Sequence, residues 1–216
     1  MSFDTDLTAD VSDELFWDPK LDSTAVAVSA DDGKITLRGT VGSLREKREA
    51  TAGARRVHGV KRVANELQVR LMGESKRLDA DVRGAVLQAL MLDGTVPPTV
   101  DARVTDGVVT LTGTADLQYQ REEAELVAGN VVGVLGLVNE IRLTTPAPYA
   151  GDVQESISKA FERNARIDAT SLRVDASDGE VMLSGVVPSW AEHDAAVSAA
   201  WSAPGVKAVV DELVVE

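Results

Sequence analysis

Apolar positions along the chain change period in a fixed order, and that order occurs three times. Leu7, Val11 and Leu15 stand at i, i+4 and i+8, which aligns them on one face of an opening helix. Val82, Val86 and Leu90 repeat the spacing, as do Val153, Ile157 and Phe161. Pro19 and the pair Pro97-Pro98 stand in the connections that follow, where helices should have stopped. Alternation then takes over: Thr24–Ser29 sets Val26 and Val28 against smaller residues, with counterparts at Val100–Val104 and Ser171–Val174. The next strand puts Ile35 and Leu37 on one face and Lys34, Thr36 and Arg38 on the other. Val109/Leu111 and Val181/Leu183 match the inward pair, as expected of a sheet with one buried face and one wet face.

An Asp-Gly pair joins the two strands each time: Asp32-Gly33, Asp106-Gly107 and Asp178-Gly179. A two-residue primed turn needs positive φ, which Gly adopts freely and Asp tolerates, so each pair predicts a β-hairpin. Gly33, Gly39 and Gly59 recur 74 residues on as Gly107, Gly113 and Gly133, and 72 further on as Gly179, Gly185 and Gly205. One supersecondary unit is therefore present in three copies.

After the second glycine of each copy a second helix opens. Ser43 with Glu46, and Ser189 with Glu192, read as capping boxes, and Asp116 is the expected cap in the middle copy. The stripes Ala50/Ala54/Val57, Ala124/Ala128/Val131 and Ala196/Ala200/Ala203 predict helices lying close against their sheets. Gly59, Gly133 and Gly205 are expected to end them as C-cap glycines, ahead of third strands at Val60–Leu71, Val134–Leu143 and Val206–Val215. A strand-helix-strand order favours a right-handed crossover with parallel pairing, so each sheet should be mixed. The expected fold class is α+β: three tandem small α-β-β-α-β domains, each a three-stranded mixed sheet packed against two helices. They are expected over residues 1–72, 77–144 and 150–216, with breaks at Met72–Arg77 and at the stiff Thr144–Gly151, which holds Pro146 and Pro148.

Charge narrows the function classes. The net charge is −13, which suits nucleic acid poorly as a partner because phosphate binding depends on a basic surface. The absence of cysteine excludes disulfides, thiolate metal sites and a cysteine nucleophile. The acidic N-terminus has no apolar run, so a cytoplasmic protein without a secretory signal is expected, and no stretch approaches membrane-spanning length. His58, at a helix end, and His193, on a helix surface, recur in no other copy; both are expected to be exposed, forming neither a metal site nor a catalytic pair. No Ser, His and Asp set stands at a recognisable motif, so no catalytic residue, cofactor or metal site is expected. The recurring glycines have the wrong spacing for a nucleotide loop and are expected to serve turns and bends.

The patterns Asp-Gly-x-Val/Ile-x-Leu-x-Gly and Gly-Val-x-x-Val-x-Asn-x-Leu/Ile stand at 32–39, 59–67, 106–113, 133–141, 178–185 and 205–213. In this order the chain resembles the BON domain, named for bacterial osmotically inducible protein Y and nodulation proteins, and the resemblance covers nearly all of it. The third copy departs by carrying Asp211 where the others have Asn65 and Asn139. The resemblance implies a non-enzymatic, stress-associated binding or scaffold protein, with anionic phospholipid or another protein as partner.

Half of the 22 basic side chains fall in the first copy. Arg45, Lys47, Arg48, Arg55 and Arg56 lie on its second helix, with Lys61 and Arg62 just beyond, and these seven are the candidate lipid-headgroup contacts. Glu46 and Glu49 dilute them, so an ordinary solvated face or a docking surface between copies is the competing reading. Asn65, Asn139 and Asp211, facing the core side of their strands, are expected to hydrogen-bond nearby loop backbone. Phe16-Trp17, Trp190 and Trp201 are expected to pack between copies rather than to meet a membrane interface. The alternative function is sensing of small cations such as potassium, motivated by the family's osmotic association and by carboxylates at each hairpin: Asp31/Asp32, Asp106 and Asp178/Glu180.

Overall fold

The computed structural model describes residues 3–71, 77–144 and 150–216, so the expected breaks at 72–77 and 144–151 fall largely outside the described residues. The chain forms two compact units, Met1–Ala54 with Val63–Thr144, and Arg55–Arg62 with Thr145–Glu216.

In the first unit, α1 (Phe3–Trp17) buries Leu7, Val11 and Leu15. A 3-10 turn at Ser23–Ala25 follows, capped by Asp22, whose carboxylate accepts from the Thr24 amide and hydroxyl. Strand β1 (Val26–Asp31) pairs antiparallel with β2 (Lys34–Val41). Helix α2 (Leu44–Arg56) crosses over to β3 (Arg62–Asn65) and β4 (Gln68–Val69), which both join β2. The second copy repeats the order as α3 (Asp79–Leu92), β5 (Asp101–Thr105), β6 (Val108–Thr112), β7 (Thr114–Ala115), α4 (Gln118–Gly129), β8 (Gly136–Asn139) and β9 (Arg142–Leu143). The second unit contains α5 (Ala150–Arg163), β10 (Leu172–Ser177), β11 (Glu180–Val187), α6 (Trp190–Trp201) and β12 (Ala208–Val215). In every copy the hairpin's second strand is central, antiparallel to the first and parallel to the third. These are the expected α-β-β-α-β units, with a four-stranded mixed sheet in the first copy, three-stranded ones in the second and third, and β7–β9 as a separate two-stranded parallel pair in the second.

Two glycines per copy explain why the motif is so regular. The hairpin turns run through positive φ at both residues, 46° and 77° at Asp32-Gly33, as a type I′ turn requires. The second glycine solves a different problem, because the chain entering the first strand crosses directly over it. A Cβ at Gly39 would sit 1.9 Å from the Ala25 carbonyl oxygen, at Gly113 2.2 Å from that of Thr99, and at Gly185 2.3 Å from that of Ser171. No side chain fits there. Gly59, Gly133 and Gly205 also have positive φ, but they stand three or four residues past the helix ends at Arg56, Gly129 and Trp201. They therefore turn the chain into the third strand rather than cap the helix itself.

The stripes behave as their spacing requires. Ile35, Leu37, Val109, Leu111, Val181 and Leu183 are all buried, as are Ala50, Ala54, Ala124, Ala128, Ala196 and Ala200. Alanine on these helices brings backbone close to sheet, so small residues fill the space without voids.

Three local expectations need correction. The third strand is split in the first two copies and continuous only as β12. At the break, the Asn65 carboxamide oxygen takes the Leu67 amide at 3.1 Å, and Asn139 takes the Ile141 amide at 3.2 Å. Helix α4 is not capped by Asp116: the Gln120 side chain reaches back to accept from the Asp116 and Leu117 amides at 3.0 and 3.1 Å. The Ser189 hydroxyl does accept from the Glu192 amide, but the Glu192 carboxylate turns to the Asp168 amide at 2.6 Å. By contrast, Ser43 and Glu46 bond reciprocally, and Glu46 also accepts from the Gly42 amide.

Candidate functional site

The seven candidate basic residues, of the eleven in the first copy, do not form one free face. Arg48 is turned into the first unit, where its guanidinium donates to the Asn130 side chain at 2.9 Å and to the Glu125 carbonyl at 3.4 Å. With Arg45 it lines a shallow hollow of about 400 Å³ shared with Glu49, Ala52, Leu126 and Asn130. Arg55 is grouped with the second unit, its guanidinium carbon 3.9 Å from the centre of the Trp190 ring. Arg45, Arg56 and Arg62 are exposed, and Lys47 and Lys61 are half-buried.

The large aromatics separate into two classes. Trp201 packs onto its own domain's core and Trp190 lies under Arg55, whereas Phe16 and Trp17 are 80% and 83% exposed. The expectation that Phe16-Trp17 packs between copies is therefore wrong: both side chains stand in solvent just after Leu15, the last buried residue of α1. The second copy has the same feature, which its sequence did not advertise. Met91 and Leu92, just after the buried Leu90 of α3, are 79% and 75% exposed. In the third copy the corresponding residues, following Phe161, are the exposed Glu162 and Arg163. Comparing residues one and two places beyond each buried stripe would have revealed the pair.

The polar position on the third strand takes the expected nearby backbone amide and also bonds to the second helix. The Asn65 amide donates to the Lys47 carbonyl and to the Thr51 hydroxyl, both at 2.7 Å. Asn139 donates to the Arg121 carbonyl and the Glu125 carboxylate at 3.1 and 3.2 Å. Asp211 carries a carboxyl group in place of the amide, with one oxygen 2.8 Å from His193 Nε2 and the other accepting from the Leu213 amide at 3.1 Å. His193 is therefore not on a solvated surface: it is 8% exposed, its other ring nitrogen lies 3.0 Å from Asp194, and its ring centre is 4.7 Å from that of Trp190. Its pKa is raised above the usual histidine value, chiefly by the hydrogen bond to Asp194 and then by the charge and hydrogen bond of Asp211, with burial opposing. His58, in the turn after α2, is exposed as expected.

At the second hairpin, Asp79 of α3 accepts from the Asp106 and Gly107 amides at 2.8 and 2.9 Å, so that carboxylate braces a turn. Among the described residues no three His, Asp or Glu side chains converge as a metal ion would need, and no helix is long and apolar enough to cross a membrane.

A helix, a hairpin, a crossover helix and a parallel third strand, three times over with glycines at the crossing points, form the pattern that the family model for the BON domain matches at residues 3–70, 78–145 and 150–216. The chain belongs to the BON domain family. Among curated relatives, osmotically-inducible protein Y of Escherichia coli (strain K12) is 34% identical over 144 residues, which span 64% of this chain and 72% of that protein. Two solved structures of CdsD, a structural protein of the type III secretion system of Chlamydia trachomatis, align at 16% identity. One covers 98% of this chain and 92% of its own with a TM-score of 0.28; the other, its C-terminal domain, covers 98% of both with a TM-score of 0.27. Scores that low carry no argument. The BON assignment rests on the family match and on the glycine-defined hairpins.

Proposed function

We propose that this protein is a non-catalytic, osmotic-stress-associated binding protein whose BON domains, over 1–72, 77–144 and 150–216, adsorb reversibly to phospholipid surfaces. The single observation that carries the reading is the pair of exposed apolar tips, Phe16-Trp17 on α1 and Met91-Leu92 on α3, at the same register in consecutive domains. Aromatic and long apolar side chains held out on a helix end suit the headgroup-acyl boundary, where Trp is enriched. Fully burying one such side chain is worth about 1.5–3 kcal/mol, so four of them support weak, reversible adsorption rather than permanent anchoring.

This reading moves the contact away from the basic helix. Arg48 is engaged with α4, and Arg55 with Trp190. The α1 tip is flanked by Asp13, Glu14 and Asp18, so it gains no attraction from anionic headgroups. Sedimentation with vesicles of phosphatidylcholine, with and without phosphatidylglycerol, tests it. Serine at 16, 17, 91 and 92 should abolish binding to both, while reversing Arg45, Lys47, Arg48, Arg55 and Arg56 to Glu should leave it intact. The opposite pattern would return the contact to the α2 cations, and no binding by the unmodified protein would remove the phospholipid reading.

A further inference from the structure

The third domain closes its second helix onto its third strand with a contact that the first two domains lack. In those, an asparagine donates from the strand to the carbonyl of the helix residue eighteen positions earlier, Lys47 or Arg121. His193 stands eighteen positions before Asp211, so the same two positions carry the contact with its polarity reversed: the helix side chain donates and the strand accepts.

The protonation state of that contact follows from its partners. Both ring nitrogens of His193 face carboxylate oxygens, Nδ1 toward Asp194 at 3.0 Å and Nε2 toward Asp211 at 2.8 Å. An ionised carboxylate only accepts, and a neutral imidazole has one N–H, so the two bonds exist together only when the ring is the imidazolium. From this geometry we infer that His193, Asp194 and Asp211 form a proton-dependent latch between α6 and β12, strongest when the ring is protonated and weakened, with one of its two bonds lost, as the pH rises.

Other charges around the ring leave this assignment unchanged. On α6 itself, Glu192 is committed to the Asp168 amide. On β12, Glu212 is exposed; on β11, Glu180 is exposed and pairs with Ala208 at the start of β12. On α5, Glu155 and Lys159 pair with each other in solvent at 2.6 Å. Arg55 lies over the Trp190 ring, which stands beside His193. A histidine that binds its proton more tightly when folded contributes stability fully below the free value of about 6.5, and that contribution is lost as pH rises through its higher folded value. The asparagine contacts in the first two domains carry no proton to lose.

Hydrogen exchange of the full chain between about pH 5.5 and 9 tests the latch, with α4 of the second domain as internal control for the intrinsic pH dependence of exchange. Protection of α6 should fall relative to α4 as pH rises, by about tenfold for each unit by which the folded pKa exceeds the free value. Asp211→Asn, which installs the residue of the other domains, should reduce this slope to the part that Asp194 sustains. Parallel profiles for α6 and α4 in the unmodified protein, or an unchanged slope in Asp211→Asn, would overturn the latch. Should the variant fold poorly, NMR titration of the unmodified chain decides alone, with His58→Gln assigning the resonance. His193 must titrate above the ordinary histidine range, and titration at or below it refutes the latch.

Discussion

Domains one and two share two features that domain three lacks: an asparagine holding the third strand to the second helix, and an apolar pair at the tip of the first helix. Domain three has Asp211 with His193 at the first position and Glu162-Arg163 at the second. Apart from the unbroken third strand of domain three, the backbone plan is the same, down to the glycine under the crossing chain. The specialisation therefore lies in a few side chains on a common frame: a neutral clamp and an apolar tip in two domains, an ionisable clamp and a polar tip in the third. A frame that glycine sterics and small-residue packing specify so strongly leaves exposed positions free to diverge.

The largest effect should come from testing whether the frame is common. Alanine at Gly39, Gly113 or Gly185 forces a Cβ into backbone carbonyl oxygen and should destabilise the domain concerned by about 3 kcal/mol or more in denaturant titrations, similarly in all three. A site that tolerates alanine would show that its domain is built differently. Next, Asn139→Asp moves domain two toward domain three without supplying the histidine. It removes both donated bonds and sets a carboxylate beside the Arg121 carbonyl and Glu125, at a cost of about 2–3 kcal/mol in the same titration. The reverse change, Asp211→Asn, should cost less, because asparagine retains the acceptor for the Leu213 amide and adds a donor facing the helix. A cost for Asp211→Asn as large as that of Asn139→Asp would contradict this ordering and would mean that the His193 contact matches both asparagine bonds together.

Smaller effects sharpen the distinction between frame and surface. Gly84, on the exposed side of α3, meets open space where a Cβ would go. Gly84→Ala should therefore raise stability by up to about 1 kcal/mol through helix propensity, the opposite sign to Gly113→Ala in the same domain. At the bottom of the scale, Arg38→Ala breaks the Arg38–Glu66 pair at 2.7 Å, but both side chains are solvated, so the melting temperature should not change measurably.

The frame was legible in the sequence because its determinants are local and periodic. Helix stripes, Asp-Gly turns and the glycine register each follow from a spacing rule, and three copies made the register self-checking. What stayed hidden depends on distance in space. Reading Asn65 as a strand residue facing the core correctly required a partner, but only the fold shows that partner to be the Lys47 carbonyl. His193, on a helix and without a counterpart in the other copies, reads as exposed in the sequence, yet the crossover brings Asp211 against it. The basic residues of α2 are adjacent in sequence, but the helix turns Arg48 toward α4 while Arg55 lies over Trp190. Phe16 and Trp17 are expected to be covered because a thin three-stranded unit needs cover, and the burial pattern leaves them out.

Whether the apolar tips meet lipid is tested most directly by the fluorescence of Trp17 with phosphatidylcholine vesicles carrying bromine on the acyl chains. Binding through the tips predicts bromine quenching in the unmodified protein and its loss in Trp17→Phe, which keeps an apolar side chain at the tip and continues to sediment with the vesicles. Vesicle-bound protein whose emission bromine does not quench, or quenching of equal depth after Trp17→Phe, would contradict it.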